Sequence, residues 1–136
     1  MICDIVKDRF FLQQKARPAE KKDLPIAKDL EDTLYANKDR CIGMAANMIG
    51  KNVAIVTILV QEQTKTLINP SITAKMGPYE TEEGCLSLTG MRKTTRYTMI
   101  EVKYRDKNWK EHTEKFIGLP AQALQHEIDH LHGVLI

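Results

Sequence analysis

The chain has 136 residues, and its 20 basic residues nearly balance its 18 acidic residues, for a formal net charge of +2. This length fits one domain over residues 1–136. The charge balance gives no electrostatic argument for nucleic acid or a membrane as a main partner. Three cysteines form no paired framework, and the first residues lack the layout of a signal peptide, so we expect a reducing, cytoplasmic location.

The first predicted element is an amphipathic helix over residues 23–37. Asp23 is a candidate cap, and Pro25 fits the first helical turn. Apolar residues recur at the spacing of one helical face, which we expect to lie in the core: Leu24, Ala27, Leu30, Leu34 and Tyr35.

Extended segments follow this helix. Residues 52–60 are rich in valine and isoleucine and predict a buried strand. Residues 65–69 and 71–75 predict two short extended pieces on either side of Pro70. The dipeptide Gly77-Pro78 then predicts a turn.

The last third of the chain predicts a hairpin followed by a helix. Residues 99–104 alternate between apolar and charged side chains, which indicates a half-buried antiparallel strand, and residues 109–117 would return after a turn. The final helix would have Pro120 in its first turn, Gly133 at its stop and an apolar stripe along one side. The whole pattern predicts an α+β fold, with antiparallel or mixed sheets packed around the C-terminal helix.

The C-terminal helix carries the most informative motif, His-Glu-Ile-Asp-His at residues 126–130. Two histidines four residues apart lie on one helical face and can direct ring nitrogens to one point. Glu127 between them can reach a water molecule held there. This spacing is typical of hydrolases in which a metal lowers the pKa of water and a carboxylate moves its proton. A helix that carries two histidines by chance is the alternative interpretation.

A catalytic metal site of this kind needs a third protein ligand. His132 turns to a different side of the helix from His130, so the ligand should come from upstream. The candidates are the carboxylates and Cys3, Cys41, Cys85 and His112. Cys85 is the strongest candidate, because Gly84 beside it permits close approach and a thiolate is a strong ligand.

Three segments together resemble the peptide deformylase family. Ile-Gly-Met-Ala-Ala-Asn-Met-Ile-Gly at residues 42–50 is similar to a first family motif, Gly-x-Gly-Leu-Ala-Ala-x-Gln. Glu-Gly-Cys-Leu-Ser at residues 83–87 matches a second motif, and Gln-His-Glu-Ile-Asp-His-Leu at residues 125–131 matches a third. Their order and spacing also fit, and the resemblance extends from about residue 32 to the end of the chain.

The resemblance implies a ligand set and a proton carrier. Cys85, His126 and His130 would hold one divalent metal ion, with ferrous iron expected first and zinc, nickel or cobalt as substitutes. Glu127 would act as the general base toward water and then as the general acid toward the leaving amine. The substrates would be N-formyl-methionyl peptides that emerge from the ribosome.

The resemblance also implies substrate contacts. The backbone N–H of Leu86 would stabilise the developing oxyanion. Ile42, Gly43 and Leu86 would contact the substrate, whose methionine side chain enters an apolar pocket. Arg92 would support the loop after the second motif.

Two residues depart from the first family motif. Cys41 occupies the position of its first glycine, and Met48 occupies the position of its glutamine, which donates a hydrogen bond to the oxyanion in the family. A thioether cannot donate such a bond. Asn47 carries a suitable amide but is one position out of register.

The leading hypothesis is therefore a metal-dependent hydrolase that removes the formyl group from the N-terminal methionine of nascent polypeptides. The departure at Met48 motivates an alternative, a weakly active or inactive paralogue that binds metal and N-terminal peptides. A general metalloprotease shares the two histidines and the glutamate, but the upstream cysteine argues against it.

Overall fold

The computed structural model describes residues 1–135. They form three α-helices and five β-strands: α1 Arg9–Leu12, α2 Leu24–Ala36, β1 Gly43–Ala45, β2 Ile55–Val60, β3 Gln63–Cys85, β4 Leu88–Arg105, β5 Glu111–Ile117 and α3 Gly118–Leu131. Short 3₁₀ turns at Lys21–Asp23 and Ala46–Ile49 precede α2 and follow β1. None of the helices in this part of the chain has the length and apolar character needed to cross a membrane.

The five strands form one sheet in the order β1-β2-β3-β4-β5, and each neighbouring pair is antiparallel. Helix α3 lies against β1, β2 and β4. A pair of hydrogen bonds ties α3 to β4: the side-chain amide of Gln125 accepts from the backbone N–H of Tyr97 on β4 and donates to its carbonyl, both at 2.8 Å. This arrangement confirms the predicted α+β fold around the C-terminal helix.

Helix α2 confirms the predicted amphipathic helix, but two details of the prediction were wrong. Leu30 and Leu34 are fully buried, whereas Tyr35 is 47% exposed because it lies beyond the edge of the apolar face. Asp23 forms no side-chain cap for α2. Its carboxylate instead accepts from the guanidinium of Arg17 and from the backbone N–H of Glu20.

Strand β3 is continuous where two short pieces and a turn were predicted. Pro70 falls in a register shift between Ile68 and Ser71, where its missing N–H removes no regular ladder bond. Gly77 adopts a left-handed backbone with φ of +75°, and Pro78 still pairs with Tyr97 of β4. Long antiparallel pairing with β4 therefore overrides both local turn signals.

The predicted hairpin and final helix are confirmed. Ile100 and Val102 of β4 are fully buried, and β5 returns beside them. In α3, Leu124 and Ile128 face the core at 0% and 4% exposure. The helix ends before Gly133, whose φ of +78° is the left-handed conformation expected after a helix stop.

Candidate metal centre and active site

Two helical histidines and one strand cysteine meet at a single point. Helix α3 presents His126 and His130 on its inner face, and Cys85 closes β3 just before the tight connection to β4. The Sγ of Cys85 lies 3.4 Å from Nε2 of His130, which lies 3.3 Å from Nε2 of His126. All three ligand atoms lie within 4.8 Å of one another. The structure thus brings together the three residues that the sequence predicted as ligands.

The spacing of these donors fits a common cation. Nitrogen and sulfur ligands at about 2.0–2.3 Å from a tetrahedral metal lie roughly 3.3–3.8 Å apart. The separations of 3.3 Å and 3.4 Å in this cluster fall within that range. Two imidazoles and a thiolate would occupy three positions and leave a fourth open, as in catalytic sites. The chemistry of the donor set therefore fits one divalent transition-metal ion.

The surroundings of His126 fix which ring nitrogen faces the cluster. Its Nδ1 lies 2.8 Å from Oε1 of Glu83. An ionised carboxylate only accepts, so Nδ1 keeps its proton and Nε2 is the ring nitrogen left to bind a metal. Burial alone would lower the pKa of His126, but the charge of Glu127 and the hydrogen bonds with Cys85 and Glu83 outweigh burial and raise that pKa to about 10. A metal bound at Nε2 would therefore replace a proton there.

Glu83 is itself held by a buried network that the sequence analysis missed. The guanidinium of Arg96 on β4 donates to both of its oxygens at 2.7–3.1 Å, and Gln122 on α3 donates at 2.8 Å. Burial raises the pKa of Glu83, but the hydrogen bonds from His126, Arg96 and Gln122 outweigh burial and lower it to about 2. Glu83 therefore stays anionic and orients the imidazole.

Arg96 joins this network to the helix from its other side. Its Nη1 donates to Asp129 of α3 at 2.6 Å, and the Arg96 side chain is only 4% exposed. Asp129, the fourth residue of the His-Glu-Ile-Asp-His motif, is thus paired with Arg96. Glu83 belongs to the second motif, but the sequence did not predict that it would bond the ring of His126. Nothing in the local sequence distinguishes Arg96 from the surface cations around it.

Glu127 lies at the site with an oxygen directed to no protein group. It is 4% exposed, and its Oε1 has no hydrogen-bond partner among residues 1–135. Burial raises the pKa of Glu127 to about 7. A Cβ added to Gly43 would lie 3.1 Å from both Cγ and Oε2 of Glu127, so the glycine leaves room for this carboxylate. The placement fits a proton carrier that works near neutral pH.

A cleft of about 510 Å³ opens beside the cluster. Ile42, Gly43 and Leu86, the predicted substrate contacts, all line it. Met91 and Leu119 also line the cleft and are 64% and 60% exposed, which gives it an apolar mouth. A larger hollow of about 760 Å³ lies elsewhere, and its lining within the described chain contains neither histidine nor cysteine.

The two departures from the first motif lie in the same cleft. Cys41 and Met48 both line it. The sulfur of Met48 accepts from the backbone N–H of Ala45 at 3.5 Å, and Met48 is 1% exposed. Burial, with the charges of Glu127 and Cys85, raises the pKa of Cys41 to about 11, so its thiol is neutral at physiological pH.

The remaining candidates from the sequence lie apart from the cluster. Cys3 packs partly buried against the core near α2, and its backbone N–H donates to Thr33. His112 on β5 has a side chain that is 44% exposed and pairs with Asp106. Arg92 on β4 lies opposite Glu83 on β3 in the antiparallel ladder, near the turn that it was predicted to support.

The fold and the cluster together define a class, the metal-dependent hydrolases whose site combines a helical His-Glu-x-x-His motif with an upstream cysteine. Comparison with known proteins gives the family. The family model described as polypeptide deformylase matches residues 2–136, and the chain belongs to that family.

Known peptide deformylases match this chain over most of their own length. A peptide deformylase from Clostridium beijerinckii is 50% identical over 136 residues, which is 100% of both chains. One from Thermoanaerobacter pseudethanolicus is 41% identical over 91% of this chain and 79% of its own. A crystal structure of a peptide deformylase from Legionella pneumophila matches with a TM-score of 0.88 at 32% identity, covering 99% of this chain and 83% of that one.

A further solved structure is that of a complex. The peptide deformylase from Synechococcus elongatus in complex with actinonin matches with a TM-score of 0.85 at 32% identity, over 98% of this chain and 74% of that one. These findings support a deformylase enzyme, and they do not support the alternative of an inactive paralogue.

Proposed function

We propose that this chain removes the formyl group from the N-terminal methionine of nascent polypeptides at the Cys85-His126-His130 cluster. The family membership makes it a metal-binding hydrolase of the deformylase type. The observation that carries the assignment of residues is the convergence of the three ligand atoms within 4.8 Å, beside a buried glutamate. The catalytic unit is one domain over residues 1–136.

The proposed metal ligands are Cys85, His126 and His130, with ferrous iron as the expected ion and zinc, nickel or cobalt as substitutes. A divalent cation held there would supply Lewis acidity toward the formyl group and make water more acidic. Measurement of metal content after anaerobic purification, followed by formate release with each of the four ions, would identify the native metal.

Glu127 would move the proton. Its Oε1 takes a proton from the attacking water and later delivers it to the amine of the leaving methionine. A pKa near 7 lets the same carboxylate accept and donate in one cycle at neutral pH. The neighbouring Glu83 cannot share this role, because its oxygens are committed to Arg96, Gln122 and His126.

The cleft would position the substrate. The backbone N–H of Leu86, next to Cys85 in the chain, would donate to the oxyanion that develops on the formyl oxygen. Ile42 and Gly43 on the other wall would contact the peptide, and the methionine side chain would fill the apolar part of the cleft. The physiological substrates would be formyl-methionyl peptides emerging from the ribosome.

The test is formate release from a formyl-methionyl peptide by protein loaded with iron without oxygen. Glu127→Gln should retain the metal, because Cys85 and both histidines remain, and should lose about 10²–10⁴ in turnover. Metal content measured on the same samples separates loss of the ion from loss of the proton carrier. No formate release above background from metal-loaded wild-type protein would contradict the proposed function.

A further inference from the structure

The closing turn of α3 is held from outside the helix at the residue that carries a ligand. The last carbonyls of any helix lack partners within the helix. The carbonyl of His130 accepts from the backbone N–H of Gly133, just past the helix, at 3.1 Å, and the side-chain Nδ2 of Asn47 donates to the same oxygen at 2.9 Å. The next carbonyl, that of Leu131, accepts from the backbone N–H of Ala16 at 2.8 Å. Two segments distant in sequence thus fix the last turn of the metal-binding helix.

Asn47 is placed to act on the site itself. It lies in the 3₁₀ turn Ala46–Ile49, directly after β1, whose first residue Gly43 packs against Glu127. Asn47 is fully buried, as is His130. The bond therefore joins the substrate-facing strand to the helix that carries the ligands, without exposure to water that could replace it.

Glu83 and Asn47 contact different parts of the two ligand histidines, the ring of His126 and the backbone of His130. Glu83 orients the ring of His126, which lies one helical turn before His130. His130 lies in the final turn, where a helix frays most readily and where a small backbone movement displaces the ring. The Asn47 bond acts on that backbone.

The two polar atoms of the Asn47 side chain differ, and only its NH₂ group makes a contact that could position the helix. Its Oδ1 is buried without a hydrogen-bond partner among the described residues. An unpartnered buried acceptor is unfavourable for stability, so an apolar side chain of similar size could serve packing equally well. The amide N–H that reaches the helix is what an apolar side chain lacks.

We propose that Asn47 is a positioning residue that holds His130 in the geometry needed to bind the metal. This inference rests on the proposed metal site. It assigns a role to a first-motif position that the sequence analysis set aside as out of register.

The experiment compares zinc affinity, by competition with a chromophoric chelator, in wild type, Asn47→Leu and Asn47→Asp. Leucine keeps the branched shape of asparagine without the donor, and aspartate keeps both shape and size but is an acceptor when ionised. Because groups that orient ligands typically contribute about 10–100-fold in metal affinity, both variants should bind zinc at least about tenfold more weakly. The absorption spectrum of the cobalt-substituted protein should change as well, since it reports ligand geometry.

Asn69→Ala is the matched control. Asn69 also bonds a distant backbone with its side chain, at Ala19, but does not line the cleft. This variant should lower thermal stability and leave zinc affinity and the cobalt spectrum unchanged. Wild-type affinity and spectrum in Asn47→Leu would overturn the inference, as would an equal loss of affinity in Asn69→Ala. If the wild-type protein bound no metal, the proposed function would fail instead.

Discussion

The two glutamates of the site show how environment assigns different roles to one functional group. Glu83 and Glu127 are both buried, at 7% and 4% exposure. Three hydrogen-bond donors lower the pKa of Glu83 to about 2, whereas burial raises the pKa of Glu127 to about 7. One carboxylate is therefore a fixed negative charge that orients His126, and the other can exchange a proton near neutral pH.

Met48→Gln should raise turnover of a formyl-methionyl peptide. The carbonyl of the new amide can take the Ala45 N–H that the Met48 sulfur now accepts, which leaves its NH₂ group free to face the cleft. A single oxyanion donor contributes about 10²–10³ in turnover in a well-studied protease, so we expect a gain of about tenfold or more. The measurement is kcat and KM for formate release.

Met48→Leu is the control for this substitution. It has similar size and no donor, and its kcat should remain near that of the wild type because the buried position is refilled. An unchanged kcat in Met48→Gln would show that an oxyanion donor at this position does not limit the reaction.

At the residue scale, the sequence predicted the groups whose chemistry and spacing are local. His126, Glu127 and His130 lie within one helical segment, and Cys85 lies in a motif of its own. Arg96 could not be found, because its importance arises only when β4 passes behind Glu83 and α3. The same holds for the contact between Asn47 and the end of α3.

At the scale of elements, local signals predicted helices better than long strands. The helical spacing of apolar residues predicted α2 and α3, because each helix presents one apolar face to the sheet. Pro70 and Gly77 are turn residues by their local chemistry. In β3 they are accommodated at a register shift and at a left-handed backbone, because pairing with β4 on both sides of them outweighs the local preference. Pairing of this range cannot be read from a short window of sequence.

The stop of α3 gives an element-scale prediction. A Cβ on Gly133 would lie 2.1 Å from the backbone oxygen of Gln13, in addition to the left-handed φ of +78°. Gly90 has a similar φ of +79° and open space within 4 Å. Gly90→Ala should therefore lower the free energy of unfolding by about 1–2 kcal/mol, the usual effect of the left-handed backbone alone. Gly133→Ala should lower it clearly further.

Denaturant unfolding of the two variants measures this difference. The clash at Gly133 is with main chain, so relief requires a shift of the segment that carries Gln13 or of the end of α3. Equal losses in the two variants would mean that the N-terminal segment yields without penalty, and that it does not brace the metal-binding helix.

At the scale of the whole molecule, the site depends on segments that are distant in sequence. Strand β1 supplies one wall of the cleft, the end of β3 supplies the cysteine, and α3 supplies both histidines. The N-terminal segment is bonded to this assembly at two points, since the backbone N–H of Ala16 donates to the end of α3 and Arg17 forms a parallel bridge with Val53. The fold thus positions the ligands through contacts that no single motif contains.

The Arg17–Asp23 ion pair holds the N-terminal segment against the start of α2, and it makes the stability of the folded protein depend on pH in acid. The carboxylate of Asp23 accepts two bonds from Arg17 at 2.9 Å and one from the N–H of Glu20 at 2.8 Å. The bond from Arg17 is the main reason that the pKa of Asp23 falls from 3.8 to about 2. A depressed carboxyl pKa stabilises the folded state fully above the unfolded value, and this contribution disappears as the pH falls from about 4 toward 2.

Asp23→Asn should therefore be less stable than the wild type at neutral pH, and the gap should close on acidification. Denaturant unfolding at a series of pH values from about 6 down to about 2 measures the gap directly. The exposed Asp4 provides the control, because Asp4→Asn removes the same charge where no bond to Arg17 is lost. A gap that stays constant across this range would show that Asp23 contributes through packing, and that the charge of the pair does not hold the N-terminal segment in place.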